Sequence, residues 1–271
     1  MNWLRLISIV SLVLLVIPVF VLLYEGFGPL REPIGYGHNV IRSTELTLIS
    51  SAIAAIVSVV LFTPLSYYFA RNKNSIGETL SDIPASIPHP IIGVAILVLV
   101  SPLTPFGKFL SSIGISIFDS VLGLIIALTI VSAPIYIKSM QPFFQSMNVA
   151  YENYALGLGA SKFRTFVSVV IPNSGRGILS ASLISMSRAM SEFGSISIVA
   201  YYVLQQPFYG VNPAPVLIYQ YYTYYGLRAA VTASAVMILV SIAMMVILRF
   251  VKRYPEGSSL ASHPIRVRQI N

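Results

Sequence analysis

The chain contains no cysteine. That absence removes disulfide bridges, thiolate nucleophiles and cysteine-ligated metals together. Histidine is nearly as scarce, with three copies. His89 stands between Pro88 and Pro90 with no second histidine, cysteine or carboxylate spaced to join it, so it reads as a turn residue and no metal site is expected. Charge is the third scarcity: 10% of residues are charged, where soluble domains carry about a quarter. No phosphate-binding loop of the form GxxxxGK[ST] is present, so the sequence offers no nucleotide site of that type. The apolar runs hold no aspartate and, of the histidines, only His89 between two prolines, which argues against an intramembrane enzyme, and no cofactor is expected.

Apolar side chains fill the space left by these absences. Hydrophobic residues make up 56% of the chain and the mean hydropathy is +0.80, which places the protein in a bilayer. The net charge of +8 does not point to nucleic acid, because the cations sit at the ends of apolar runs. A hydrocarbon core takes about 20 helical residues, and six runs are read as spans: residues 4–23, 43–70, 83–103, 120–136, 178–203 and 227–250. The first run exceeds the roughly 7 to 15 apolar residues of a signal peptide and no small-x-small cleavage site follows it, so a retained span is the expectation. The third is interrupted by Pro84, Pro88 and Pro90, and needs neighbouring helices or water to satisfy the freed carbonyls. Residues 104–118 are read as a loop with a short surface helix, and the tyrosine cluster at 219–225 as an aromatic belt at the outer end of span six. A surface on which a partner docks, overlapping that belt and the loop 205–219, is the alternative. The expected fold class is therefore all-α, a polytopic membrane protein with six transmembrane helices over residues 1–250 and a basic cytoplasmic tail over 251–271.

Six spans place both termini on one side. The segments on that side hold Arg5, Arg71, Lys73, Lys138, Lys162, Arg164, Arg176, Arg249, Lys252, Arg253, Arg266 and Arg268, while the opposite segments hold only Arg31, Arg42, Lys108 and Arg228. The bias of twelve against four makes the termini cytoplasmic. It also puts the stretch between spans four and five, residues 142–177, in the cytoplasm.

That stretch carries YENYALGLGASKFRTFVSVVIP at 151–172. The spacing predicts a short helix, a glycine break, a second helix and a proline stop. Asn148 is a plausible cap, Glu152 suits the positive end of the first helix, and Gly159 can take the left-handed conformation that ends it. Ser161 can cap the second helix, on which Phe163, Phe166, Val167, Val170 and Ile171 fall on one apolar face. Spacing leaves two readings open: an elbow on which a partner docks, or an amphipathic helix lying on the lipid headgroups.

Glu152, Gly159 seven residues on, and the Ile171–Pro172 pair resemble the cytoplasmic EAA loop of ABC importer permeases. Asn153 and Tyr154 replace the alanine pair of that loop, and alanine returns at Ala155. The resemblance narrows further on. SRAMSEFGS at 187–195, VAYY at 199–202 and APVLIY at 214–219, with TPLSY at 63–67, IPHP at 87–90 and SAPIYI at 132–137, is similar to permease subunits for molybdate and tungstate, closest to the archaeal tungstate type. Sulfate permeases share a related segment. The resemblance implies a type I ABC importer permease fold with a coupling-helix elbow between helices four and five. It implies ATPase coupling through Glu152, Ala155, Leu156, Gly159, Ala160 and Pro172. The implied partners are a second copy of the chain, two cytoplasmic ABC ATPase subunits, membrane lipid, and an extracellular binding protein, lipid-anchored or secreted, that delivers the oxyanion. The chain itself is then a non-catalytic permease subunit of the plasma membrane.

Span five adds the charged residues Arg188 and Glu192, and charge within a bilayer costs about 2.5 to 3.5 kcal/mol even on mild scales. Four residues apart, they can pair on one helix face. Alternatively Arg188 faces the translocation path and attracts a dianion, with Glu192 limiting how tightly it binds. Ser187, Ser191 and Ser195 would form a hydroxyl stripe along the same helix, lining the path or letting helices pack closely. Asp119 and Glu45 have no evident partner in the sequence. A gradient-driven secondary transporter is the rival class, but no internal repeat supports it.

Overall fold

Long runs of leucine, valine, isoleucine and alanine without charge favour helix wherever backbone groups have no water to turn to, and helix dominates the architecture. The computed structural model describes residues 2–253. In chain order the helices are α1 (Asn2–Phe27), α2 (His38–Arg71), α3 (Ser75–Ser86), α4 (His89–Val100), α5 (Pro105–Ser112), α6 (Val121–Ser146) and α7 (Ala150–Gly157). They continue as α8 (Lys162–Thr165), α9 (Ile171–Asn173), α10 (Gly175–Met190), α11 (Ile196–Val199), α12 (Ala214–Tyr225) and α13 (Leu227–Arg253). Among the described residues, extended pairing is limited to one antiparallel bridge, between Val203 and Val211.

Among the described residues, four helices are long and apolar enough to cross a membrane: Trp3–Phe27, His38–Arg71, Val121–Ser146 and Leu227–Ile247. Two interrupted pairs pass the same test when joined, Ser75–Ser86 with His89–Val100 and Lys162–Asn173 with Gly175–Met190, giving up to six spans if each pair counts as one. The expected third and fifth spans are thus not single straight helices. The third is interrupted at Ile87 and Pro88, where proline removes a donor and pushes the residue before it out of helical geometry. In the fifth, α10 ends at Met190, short of the expected 203, and the chain turns before α11. The fourth runs further than expected: α6 continues to Ser146, so Lys138 lies inside the helix, 3.0 Å from Asp82 on α3. The tyrosine cluster does not extend span six. It lies on its own helix, α12, separated from α13 by Gly226 at φ +83°. Of the tail, residues 254–271 lie outside the described residues, and Arg266 and Arg268 with them.

The chain divides into two compact units, each assembled from separated segments. The first takes residues up to Ile53, Pro88–Leu128 and Met190–Ala243. Its core includes Val40, Leu217, Tyr221, Ala229, Ala230 and Ala233. Asp119, without an evident partner in the sequence, organises its loops. At φ 48° the residue is left-handed, its N–H donates to the Val199 carbonyl and its carbonyl accepts from Leu204 N–H, each at 2.9 Å. Burial pushes the Asp119 carboxyl above the usual range, opposed by the backbone donors of Tyr202 and Tyr201. Arg42 donates to the Pro207 carbonyl and lies 5.5 Å from the Phe208 ring centroid, pinning the loop before α12.

The second unit takes Ala54–Ile87, Thr129–Ala189 and the segment from Met244. Tyr136, Met140, Phe144, Val170 and Ala181 form its core, with Phe62, Tyr67 and Phe166 packed against them. Thr63 and Tyr136 share a buried 2.6 Å hydrogen bond between α2 and α6.

Within the first unit, α4 and α11 approach so closely that glycine is required. A Cβ on Gly93 would sit 2.7 Å from the Ser195 carbonyl oxygen and 2.8 Å from Ile198 Cβ. A Cβ on Gly157, by contrast, would meet nothing within 4 Å. Gly93→Ala should therefore lose about 1 to 3 kcal/mol, as overpacked cores do, and show a lower melting temperature in detergent. Gly157→Ala, in an open helical position, should be neutral or slightly stabilising; equal effects of the two substitutions would contradict the close crossing.

Candidate functional site

The 151–172 elbow is built as the spacing predicts in its first half. Glu152 lies in the first turn of α7, Gly159 is left-handed at φ +85°, and Ala160 N–H returns to the Ala155 carbonyl at 3.0 Å, closing the helix. Ser161 caps α8, its hydroxyl accepting from Arg164 N–H at 3.2 Å. Asn148 accepts from Ala150 N–H at 2.9 Å, although the cap position itself falls to Val149.

The second half departs from expectation. Pro172 does not stop the helix. The backbone widens into a π turn over Phe166–Val170, with Ile171 N–H donating to Phe166 carbonyl, and the helix continues to Asn173. A π turn supplies the extra residue that lets a proline without an N–H sit in helix. The helix then bends by 75° into α10. The insertion also splits the predicted apolar face: Val170 is buried and Phe166 and Ile171 half-buried, while Phe163 is 77% and Val167 47% exposed.

Glu152 points inward and is buried. Arg71, at the end of α2, donates from Nη2 to Oε1 at 2.6 Å and from Nε to both oxygens at 3.1 and 3.3 Å. Tyr67 Oη donates to Oε2 at 2.6 Å. The remaining Arg71 nitrogen, Nη1, donates to the Phe144 carbonyl at 2.7 Å at the end of α6. The Tyr67 ring meets Phe144 edge-on at 5.5 Å and Phe166 of the π turn at 5.1 Å. One carboxylate therefore ties α7 to α2, α6 and the second elbow helix. Tyr67 and Arg71 are four apart on one helix face, a signal that they share a partner, but the sequence does not say which of the distant acids that is.

With Glu152 turned in, the surface left outward consists of Tyr154, Leu156, Leu158 and Phe163 beside Lys162 and Arg164. Gly159 and Pro172 are exposed, and Ala155 and Ala160 half-buried. A chemically inert, apolar and basic face on a rigidly anchored helix can take mechanical load from a partner; it offers no catalytic group.

The residues singled out in span five are not on one helix. Ser187 and Arg188 belong to α10, and Ser187 Oγ donates to the Leu183 carbonyl at 3.0 Å. Ser191, Glu192 and Ser195 lie beyond the end of α10, so neither the hydroxyl stripe nor the helical i, i+4 register of Arg188 and Glu192 exists as predicted. Glu192 is 1% exposed; its Oε1 accepts from Ser195 N–H at 2.9 Å and Ser195 Oγ at 3.0 Å. Its Oε2 lies 2.8 Å from Nδ1 of His89. His89 is therefore not a simple turn residue: it opens α4 and faces a buried carboxylate.

The family model described as binding-protein-dependent transport system inner membrane component matches residues 3–255. The molybdate/tungstate transport system permease protein of Pyrococcus abyssi is 31% identical over 244 residues, covering 88% of this chain and 90% of its own. That of Thermococcus kodakarensis is 33% identical, covering 78% of each chain. A sulfate transport system permease protein of Synechocystis is 29% identical, covering 90% of this chain and 86% of its own. Among solved structures, a bacterial ABC transporter involved in the import of the acidic polysaccharide alginate has the same fold, with a TM-score of 0.63 at 18% identity, covering 93% of this chain and 94% of that one.

The Glu152 clamp can be tested directly. With side-chain exposures of 16% for Arg71 and 8% for Glu152, water does little to screen the pair. Arg71→Ala or Glu152→Gln should cost about 3 to 5 kcal/mol, because each leaves a buried partner unmatched. The double variant Arg71→Met/Glu152→Leu should lose clearly less than the two single losses combined, measured by thermal unfolding in detergent. Additive losses would show that the two side chains do not act as one anchor.

Proposed function

Because the chain belongs to the family of binding-protein-dependent transport system inner membrane components, we propose that it is the transmembrane subunit of an ATP-driven importer that moves molybdate or tungstate into the cell by alternating access. The observation that carries the substrate class is the 31% identity to a molybdate/tungstate permease across 88% of the chain. Sulfate is the second reading, favoured by the 29% identity to a sulfate permease over 90% of the chain. In this reading the chain is a multi-pass membrane protein with no catalysis of its own, and ATP is hydrolysed by two cytoplasmic ABC ATPase subunits. A second copy completes the pore, and an extracellular binding protein, lipid-anchored or secreted, delivers the anion.

Counting each interrupted pair as one span gives six, with both termini and the 142–177 segment cytoplasmic and the tail 251–271 on the same side. The elbow is then the lever. Its outward face of Tyr154, Leu156, Leu158 and Phe163 meets the ATPase, and the Glu152 clamp passes the movement to α2 and α6. Ala155, Leu156, Gly159, Ala160 and Pro172 shape that face, while Glu152 acts from within. Ser187, Arg188, Ser191, Glu192 and Ser195 belong to the segment nearest the translocation path or gate.

Two measurements test this. Gly159 is left-handed, so a branched side chain there distorts the end of α7; Gly159→Ile should uncouple ATP hydrolysis from uptake while the protein remains in the membrane, and undiminished uptake would remove the elbow as the coupling site. In vesicles holding the permease, its ATPase and the binding protein, molybdate or tungstate should stimulate ATP hydrolysis. Stimulation by sulfate alone would replace the molybdate/tungstate assignment with the sulfate one.

A further inference from the structure

We infer that His89, Glu192 and Ser195 form a staple that sets the crossing of α4 and α11, and that Glu192 is a positioning residue which does not touch the transported anion. Three observations converge on this. Glu192 is 1% exposed; its Oε1 accepts from the N–H and Oγ of Ser195, and its Oε2 lies within ion-pair distance of His89, 2.8 Å from Nδ1. At 1% exposure the carboxylate offers a dianion no direct contact.

His89 is the first residue of α4, where the helix dipole disfavours a cation and the preceding Pro88 contributes no side-chain cap. The Glu192 carboxylate is the acid that faces His89 at this helix end. Glycine also lets the two segments approach closely on either side of the pair. A Cβ on Gly194 would lie 2.9 Å from His89 Cβ and 2.8 Å from Pro90 Cδ, and one on Gly93 would lie 2.7 Å from the Ser195 carbonyl. The pair thus sits between two glycine contacts and closes the crossing just beyond the end of α10.

A staple depends on reach and on both partners, whereas a charge acting on the anion depends on neither. The inference uses the importer reading only for its uptake assay. In vesicles with the ATPase and binding protein, Glu192→Gln and His89→Gln should each lower the maximal uptake rate at least tenfold, with the half-saturating oxyanion concentration within twofold of the unmodified protein. The double variant should be no worse than the poorer single. Glu192→Asp keeps the charge but shortens the arm, and should be impaired like Glu192→Gln. If Glu192→Asp transports normally, if losses multiply in the double variant, or if the preference among molybdate, tungstate and sulfate changes, the staple is wrong.

Thermal unfolding of the same variants in detergent gives a second reading, in which the double variant should melt no lower than the less stable single, and additive losses would overturn the pair. Should the unmodified protein transport none of the three oxyanions, the importer reading fails while the melting comparison still decides the staple.

Discussion

A carboxylate taken out of water has to be met by a cation and by enough donors to replace its hydration, and at Glu152 this requirement decides how the elbow is held. Arg71 spans the carboxylate with three of its donor contacts and spends the fourth on the end of α6, while Tyr67 satisfies the second oxygen and stacks its ring against the π turn. A short eight-residue helix such as α7 is marginal alone. Anchored through a buried ion pair it becomes a fixed extension of the helices beneath it, which is the property a transmitting lever needs.

The same economy appears in the other compact unit, where Glu192 is buried against His89 and Ser195. In both places the acid stabilises an interruption in regular structure: a helix with an open glycine end in one case, a chain leaving its helix in the other. Proline and glycine cause these interruptions. Pro172 is accommodated by a π turn, Pro88 opens α4, and Gly93 and Gly194 let α4 and α11 touch through backbone. Interrupted helices expose backbone groups and change direction within the chain, and apolar packing alone does not hold such geometry; specific polar contacts do.

The division of labour within the family is consistent with where chemistry is missing. The chain has no nucleotide loop, and its elbow presents apolar and basic side chains without a catalytic group. Substrate class enters through resemblance along the whole sequence, while the architecture is shared with a transporter for a quite different solute at 18% identity. The fold by itself therefore does not name the cargo.

Residue order alone was enough for the four long apolar helices, the helix ends at Gly159 and Ser161 and the family resemblance, because hydrophobic run length and left-handed or capping positions are local properties. It also placed Glu152 at the start of its helix. Three features needed the folded chain. The π turn around Pro172 turned Phe163 and Val167 outward, since one inserted residue shifts a helical face that periodicity assumes to be continuous. The end of α10 at Met190 broke the register assumed for Arg188 and Glu192. The partners of the two buried acids, Arg71 with Tyr67 and His89, lie 81, 85 and 103 positions away along the chain. Spacing reports neighbours within one helix, whereas a buried charge selects its partner from whatever the tertiary fold brings within three ångströms.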